Sequence, residues 1–305
     1  MQAFDVVVSL FRTAGRLGAA RSRLPSYTTD GLAADVLSTA EAGDIGLPIG
    51  RGSIAGGIRY LREARCDPDL YLKEMVRAAA RAGVAIHAMT NVRRLQARSG
   101  RITAVETSES SYRAGTVVVA AGAWSSSLTE AIGLTPPIAP ARGDWWDFGL
   151  TPEWAGSSPL FLEEDRVAIT PLQDRVRVTS GFRLGSLRRY DPRRRQRAPR
   201  LPRTSSLSRL VRTPPLAAAT GLRPCTPDGL PIVGRTARAN NLIVASGHGT
   251  LGLTLAPVTS VLVAAILRDG ADKELQPLSP DRWSDAPAVS DSVWSKSPTT
   301  GSLGG

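Results

Sequence analysis

The sequence predicts an α/β fold of mixed α+β texture, in which parallel-sheet segments alternate with an antiparallel-sheet unit. Three stretches carry that reading. Thr116–Ala121 is a continuous apolar run that ends in Gly122 and passes directly into a helical stretch, Ser125–Ile132; a strand apolar on both faces belongs inside a parallel sheet. Arg166–Thr170 and Arg175–Ser180 alternate in polarity across a short loop, the pattern of paired antiparallel strands. Leu242–Ala245 is a second apolar strand, leading through glycine-rich Ser246–Gly252 to a helix expected over Pro257–Arg268.

The remaining elements follow in order. Asp5–Val8 reads as a strand, and Arg12–Leu24 as a surface helix. Ile58–Leu61 reads as a short strand after a glycine-rich stretch, Gly43–Gly57. Asp67 is a helix cap with Pro68 in the first turn, and Leu70–Ala82 carries an apolar face at Leu72, Met75, Val76 and Ala79, with Gly83 ending the helix. Val84–His87, Val92–Ala97 and Ile102–Thr107 read as strands, the last two joined by a hairpin at Gly100. The residues after Pro280 are rich in Ser, Pro and Gly, the composition of a disordered tail.

Composition bounds the function. Hydrophobic residues make up 42% of the 305 and charged residues 21%, enough apolar content for a sizeable core. The formal net charge is +11, and only Lys73, Lys273 and Lys296 are lysines, so the excess is arginine. Eight arginines fall in Leu187–Arg203, with three prolines and one aromatic residue, Tyr190. Nucleic-acid binding through that run is a competing reading, but without interleaved stacking residues a solvated loop fits better. Cys66 and Cys225 stand in no ligand or redox spacing, so neither a metal site nor a disulfide framework is expected. No window of about 18 apolar residues exists, and the N-terminus lacks the pattern of a signal peptide. A cytoplasmic location is expected, with peripheral contact at a membrane's inner face left open by the basic surface.

The stretch most suited to chemistry is Gly221–Pro257. Its second glycine-rich loop, Gly247-His248-Gly249-Thr250-Leu251-Gly252, opens onto a helix. Glycines let a backbone approach a planar ligand closely, and a helix N-terminus favours negative charge. Together with GLRPCTPDGLPIVG (221–234), TVVVAAGAWSSSL (116–128) and IAGGIRYLREARCDPDLYLKEM (54–75), with weaker agreement at Val167–Gly181 and PLSPDRW (277–283), this segment resembles the FAD-dependent D-amino-acid oxidase superfamily. The resemblance is strongest to bacterial D-amino-acid dehydrogenases and glycine oxidases and covers most of 45–283.

The resemblance implies a partial FAD-binding parallel-sheet domain interleaved with an antiparallel-sheet substrate domain. The expected division is 1–66, a partial N-terminal region with a substrate-domain strand; 67–135, an FAD-domain segment; 136–215, the substrate domain; 216–270, the C-terminal FAD-domain segment; and 271–305, a mostly disordered tail. It also implies FAD as cofactor, a small amino acid as substrate, and a quinone or oxygen as electron acceptor. Arg223 takes the position that pairs with the substrate carboxylate, a role a guanidinium suits. Gly247, His248, Gly249, Thr250, Leu251, Gly252 and Thr254 take that of the loop on the flavin ring. Ala121, Gly122 and Trp124 match a second FAD-contacting strand end, and Val92 a backbone contact to the adenine. No catalytic side chain and no metal ligand is implied: hydride transfer from a neutral amine needs no strong base, so His248 reads as structural or flavin-adjacent.

The family's N-terminal strand with G-x-G-x-x-G is missing: Asp5–Val8 is followed by Ser9-Leu10-Phe11-Arg12, without the glycines. The residues before Gly31 read instead as a mid-domain segment of the family. Three alternatives to a D-amino-acid oxidoreductase therefore stand: a remnant without stable FAD binding, a glycine or sarcosine oxidase-like activity, and the nucleic-acid binder above. Because pyrophosphate on a helix N-terminus supplies much of a dinucleotide's anchoring, this polypeptide alone is expected to hold FAD weakly or not at all. A purified sample should lose its flavin absorption band on desalting; a band that persists would overturn the expectation.

Overall fold

One-sided burial builds the larger sheet, and two-sided burial the smaller one. The computed structural model describes residues 5–29, 31, 33–45, 54–187, 213–270 and 273–284. Along the chain its strands are β1 (Asp5–Phe11), β2 (Ala34–Leu37), β3 (Gly56–Glu63), β4 (Val92–Arg98), β5 (Arg101–Thr107), β6 (Ser111–Tyr112) and β7 (Val117–Val119), then β8 (Ala139–Gly149), β9 (Leu160–Leu162), β10 (Val167–Pro171), β11 (Arg175–Leu184), β12 (Ala217–Cys225), β13 (Ile232–Thr236) and β14 (Ala239–Ser246). The α-helices are α1 (Ala14–Arg21), α2 (Leu24–Thr29), α3 (Thr39–Gly43), α4 (Pro68–Arg81), α5 (Ser125–Thr129) and α6 (Gly252–Asp269).

An eight-stranded sheet runs in the order β12-β8-β11-β10-β9-β1-β3-β2. The alternation seen in the sequence is real: Val167 and Ile169 on β10 and Val176 and Val178 on β11 are fully buried on one face. Antiparallel register sets Ile169 opposite Val178. Trp146, Phe148, Leu160, Val8 and Leu10 complete that core. β1 pairs antiparallel with β3 and parallel with β9, so the first strand is part of this mixed sheet.

The chain divides into two units: 1–81, 143–181 and 193–221 form one, and 82–142, 182–192 and 222–305 the other. In the second unit a three-stranded sheet runs β13-β14-β7, with β14 parallel to β7 and antiparallel to β13. Leu242, Ile243 and Val244 of β14 are fully buried. A separate meander, β4-β5-β6, turns at Ser99-Gly100, where Gly100 takes φ 68°. Buried Asn241 joins the two sheets: its Oδ1 accepts from the Ile102 amide at 2.8 Å, and its Nδ2 donates to the carbonyls of Ile102 and Gly115 at 3.0 and 3.2 Å.

Several expectations are corrected. The surface helix expected over Arg12–Leu24 is split, with α1 ending at Arg21 and α2 starting at Leu24. Val84–His87 forms no strand: it makes no ladder with any described strand, and Val84 and Ile86 remain exposed. Helix α6 starts at Gly252 and not at Pro257; Pro257 sits inside it at the cost of one backbone bond. Helix α4 forms as expected, with the Asp67 carboxylate accepting from the amides of Asp69 and Leu70. Its apolar face is not buried: Leu72, Met75 and Val76 are at least half exposed. What holds α4 is charge at its start. Arg175 pairs with Asp67 and Asp69, and Arg177 pairs with Asp69 while gripping Asp147 with two bonds of 2.8 Å. The Asp147 carboxylate raises the Arg177 pKa above its ordinary value.

Of the tail, 273–278 forms a 3-10 turn and 280–284 a further turn, while 285–305 and most of the arginine run, 188–212, lie outside the described residues. No described helix is long and apolar enough to cross a membrane.

Asn241→Leu keeps the volume and removes three hydrogen bonds, leaving the amide of buried Ile102 without its Asn241 acceptor. It should cost about 3 kcal/mol in urea unfolding; a loss below ~1 kcal/mol would show that the joint between the sheets is not held there.

Candidate functional site

The candidate site is built where β12 ends and β14 gives way to α6. Strand β12 carries Arg223, half-buried, then Pro224 and Cys225. The chain leaves β14 at Ser246 and turns through Gly247–Leu251 into α6. Two backbone contacts lock these segments together: Cys225 and His248 form an antiparallel bridge, and the Gly249 amide donates to the Pro224 carbonyl at 2.8 Å. Arg223 is therefore one residue from the strand position on which the glycine loop is fastened. Among the described residues Arg223 also moderates the Cys225 thiol, whose pKa burial pushes up and the guanidinium pulls back down.

Gly247 explains the tightness of the turn. Its φ is 76°, and a Cβ there would stand 2.8 Å from the Thr226 methyl and 3.2 Å from Ile232. Any side chain would push the loop off the strand beneath it. Thr226 is itself fixed, donating to the Leu230 carbonyl at 2.7 Å. Behind it, Arg282 donates to both Asp228 oxygens at 2.8 and 3.1 Å and to the Leu230 carbonyl at 2.9 Å, with its guanidinium stacked 3.6 Å over Trp283. The turn before β13 is thus clamped from the chain's C-terminal side.

His248 points into the molecule. Its Nε2 lies 2.9 Å from the Thr259 hydroxyl, two turns into α6, and burial lowers its pKa below the ordinary histidine value. The ring is a neutral strut between loop and helix. The His248 carbonyl accepts from the Leu251 amide, closing the loop ahead of the helix. Leu251, at the helix cap, offers no side-chain hydrogen bond, and α6 has no acidic residue in its first turn. The amides of the first turn, which includes Gly252 and Thr254, thus form a positive end without a side-chain cap. Thr250, Leu251 and Thr254 are exposed around it.

The second strand end lies beside the first. Ser246 Oγ donates to the Gly122 carbonyl at 2.9 Å and accepts from Ser125 Oγ at 3.0 Å, tying the ends of β14 and β7. Ala121, Gly122 and Trp124 therefore share a corner with Gly247, and Trp124 stands 45% exposed there. Val92 is elsewhere: it opens β4 in the meander, in register with Thr107, and no hydrogen bond among the described residues joins it to the loop. Of the residues singled out in the sequence, the structure brings together Arg223, the Gly247–Thr254 segment and the Ala121–Trp124 corner. Thr259, Ser246, Ser125 and Arg282 were not singled out, although Ser125 falls in the TVVVAAGAWSSSL stretch, Ser246 opens the glycine-rich segment and Arg282 falls in PLSPDRW.

The donor set fits one end of a flavin. A glycine loop with an uncapped helix start suits the ring edge where negative charge collects on reduction. No group of His, Cys, Asp and Glu able to hold a metal occurs among the described residues.

The sequence model of the FAD dependent oxidoreductase (DAO) family matches residues 6–266. The D-amino acid dehydrogenase of Cereibacter sphaeroides is 32% identical over 276 residues, 88% of this chain and 62% of the relative. That of Granulibacter bethesdensis is 33% identical over 267 residues, 85% of this chain and 63% of the relative. The chain thus spans a little over three fifths of the length of these relatives. Among solved structures, L-proline dehydrogenase from P. horikoshii superposes with TM-score 0.75 at 17% identity, covering 93% of this chain and 78% of that one. Glycine oxidase from Bacillus cereus gives 0.75 at 19%, covering 90% and 75%. The two structures share the fold.

Two outcomes test the geometry. Gly247→Ala should strain the turn by about 1–3 kcal/mol and raise hydrogen exchange across 247–252; an unchanged melting temperature and exchange pattern would contradict the close approach to Thr226. The unfolded chain takes up a proton at His248 near pH ~6.5 that the folded ring resists. Stability should therefore fall between pH ~7.5 and ~5.5, and His248→Gln should flatten that slope. Equal slopes in both proteins would show His248 is not held neutral.

Proposed function

The chain belongs to the FAD dependent oxidoreductase (DAO) family, and from that membership we propose that it oxidises the CH–NH2 group of a D-amino acid. The observation that carries the reading is the fastening of Pro224 and Cys225 onto Gly249 and His248, which sets Arg223 beside the glycine loop. The relatives at 32% and 33% identity, both D-amino acid dehydrogenases, support the choice of substrate class.

Arg223 would grip the substrate carboxylate through two parallel N–H bonds, fixing the amino acid by the group all members of that class share. The amides of the Gly247–Thr254 segment would hold the flavin ring by its pyrimidine edge. His248, engaged with Thr259, would keep that segment in place. Held by those amides, FAD would supply the hydride acceptor, with a quinone or oxygen as the onward acceptor; the substrate oxidised at Cα would be an imino acid, which water would hydrolyse to a 2-oxo acid and ammonia.

A second reading, a remnant without stable FAD binding, is favoured by one observation: the first strand, Asp5–Phe11, is not followed by G-x-G-x-x-G. A glycine or sarcosine oxidase-like activity is separated by the substrate panel itself.

Assay of the chain under saturating FAD with D-alanine, L-alanine, glycine and sarcosine, using a quinone acceptor, should show turnover of the D-amino acid. Arg223→Ala should lower kcat/KM by roughly 10- to 100-fold, mainly through KM. Turnover that survives the substitution unchanged would remove Arg223 from the carboxylate role, and a chain inert with every substrate would leave the remnant reading.

A further inference from the structure

Gly247 sits in a socket with two walls, the Thr226 methyl and Ile232 Cγ1, which a Cβ there would meet at 2.8 and 3.2 Å. Thr226 lies in the turn between β12 and β13, and Ile232 opens β13. Neither wall belongs to the glycine loop, so the seat of the loop is only as fixed as they are. Two consecutive residues near the end of the described chain, Arg282 and Trp283, back both walls.

The Thr226 wall is set by hydrogen bonding. A threonine carries its hydroxyl and methyl on one Cβ, so holding the hydroxyl decides where the methyl points. The Thr226 hydroxyl donates to the Leu230 carbonyl at 2.7 Å, and Arg282 Nη2 donates to the same oxygen at 2.9 Å. The two lone pairs of the carbonyl accept both donors. The guanidinium also reaches Asp228 Oδ2 and Oδ1 at 2.8 and 3.1 Å, and Asp228 Oδ1 accepts from the Leu230 amide at 3.0 Å. One arginine thus holds Leu230 at its carbonyl directly and at its amide through Asp228. Arg282 Nη1 donates to the Ser279 carbonyl at 3.1 Å, which ties the guanidinium to its own turn.

The Ile232 wall is set by packing. Trp283 packs against the cluster of Leu134, Ile232 and Val244, and the Arg282 guanidinium lies 3.6 Å over its ring. Only a planar fork of donors meets these acceptors while lying flat on an indole; an ammonium does not.

We propose that Arg282 is a positioning residue for the glycine loop: through Leu230 and Thr226 it sets the socket that seats Gly247. Its consequence for ligand binding rests on the reading of Gly247–Thr254 as the segment that holds the flavin ring. The role differs from general stabilisation in where its loss is felt. Asp281, next to Arg282, anchors the other end of β13, accepting from the Thr236 hydroxyl at 2.8 Å and the Ala237 amide at 2.7 Å. Weakening that far anchor should lower stability and leave the loop as it is.

The test is hydrogen exchange on the full chain without flavin, read at the Gly249 and Leu251 amides, which donate to Pro224 and His248. Arg282→Ala should speed exchange there at least ~10-fold, while Leu242 and Val244 of β14 keep their rates. Arg282→Lys, which keeps the charge without the fork, should show the same pattern and serves where the alanine chain does not fold. Thr226→Val should match it, and the double variant should exchange no faster than either single one. Thr236→Val, at the far anchor, should lower the melting temperature with both loop amides unchanged. Parent rates at Gly249 and Leu251 in the Arg282 variants overturn the proposal. So does a rise shared by Leu242 and Val244 or by Thr236→Val, or a double variant whose effects multiply. Riboflavin should bind Arg282→Ala at least ~10-fold more weakly than the parent, and equal affinity overturns the consequence for binding. A parent chain that ignores riboflavin counts against the ring-holding reading alone, because the flavin-free exchange decides the role of Arg282 by itself.

Discussion

The backbone bond from Gly249 to Pro224, with the Cys225–His248 bridge next to it, is the contact on which the site depends. It brings together segments more than twenty residues apart, and only because Gly247 has no side chain to keep them apart. Each support acts on one side of that junction. Thr226 and the Arg282–Asp228 clamp fix the turn below. Thr259 fixes His248 from the helix, and Ser246 draws in the end of β7. Remove the junction and Arg223 and the helix start lose their common frame.

Much of the frame was legible because it follows from local chemistry. Continuous apolar runs gave β7 and β14, alternation gave β10 and β11, and Asp67-Pro68 gave the start of α4. The glycine-rich segment marked the site for the same reason, since close approach and positive φ are properties of the residue itself. The start of α6 differs from the expected Pro257 because the helix accommodates that proline in its interior. The partners of the site were hidden for a different reason. Thr259 is eleven residues from His248, Arg282 is fifty-four from Asp228, and Ser125 is over a hundred from Ser246. No periodicity encodes such pairings; they exist only once the sheet has formed.

The apolar face of α4 teaches a related lesson. Its spacing is that of a buried helix, yet Leu72, Met75 and Val76 remain exposed and ion pairs to Arg175 and Arg177 hold its first turn. Periodicity states which face a helix would bury, and the partner must be present for burial to occur. Val118 and the outer side of α6 repeat the pattern in the second unit. In both units, apolar side chains stand exposed beyond what the described elements cover.

The central claim is that the Gly247–Thr254 segment holds the ring end of the cofactor. It is tested most directly by following backbone amide resonances while riboflavin and, separately, AMP are added. Riboflavin, which carries the ring without the adenosine end, should shift the amides of Gly247, Gly249, Gly252 and Thr254, and AMP should leave them in place. Shifts confined to other residues, or the same response to AMP, would contradict the account.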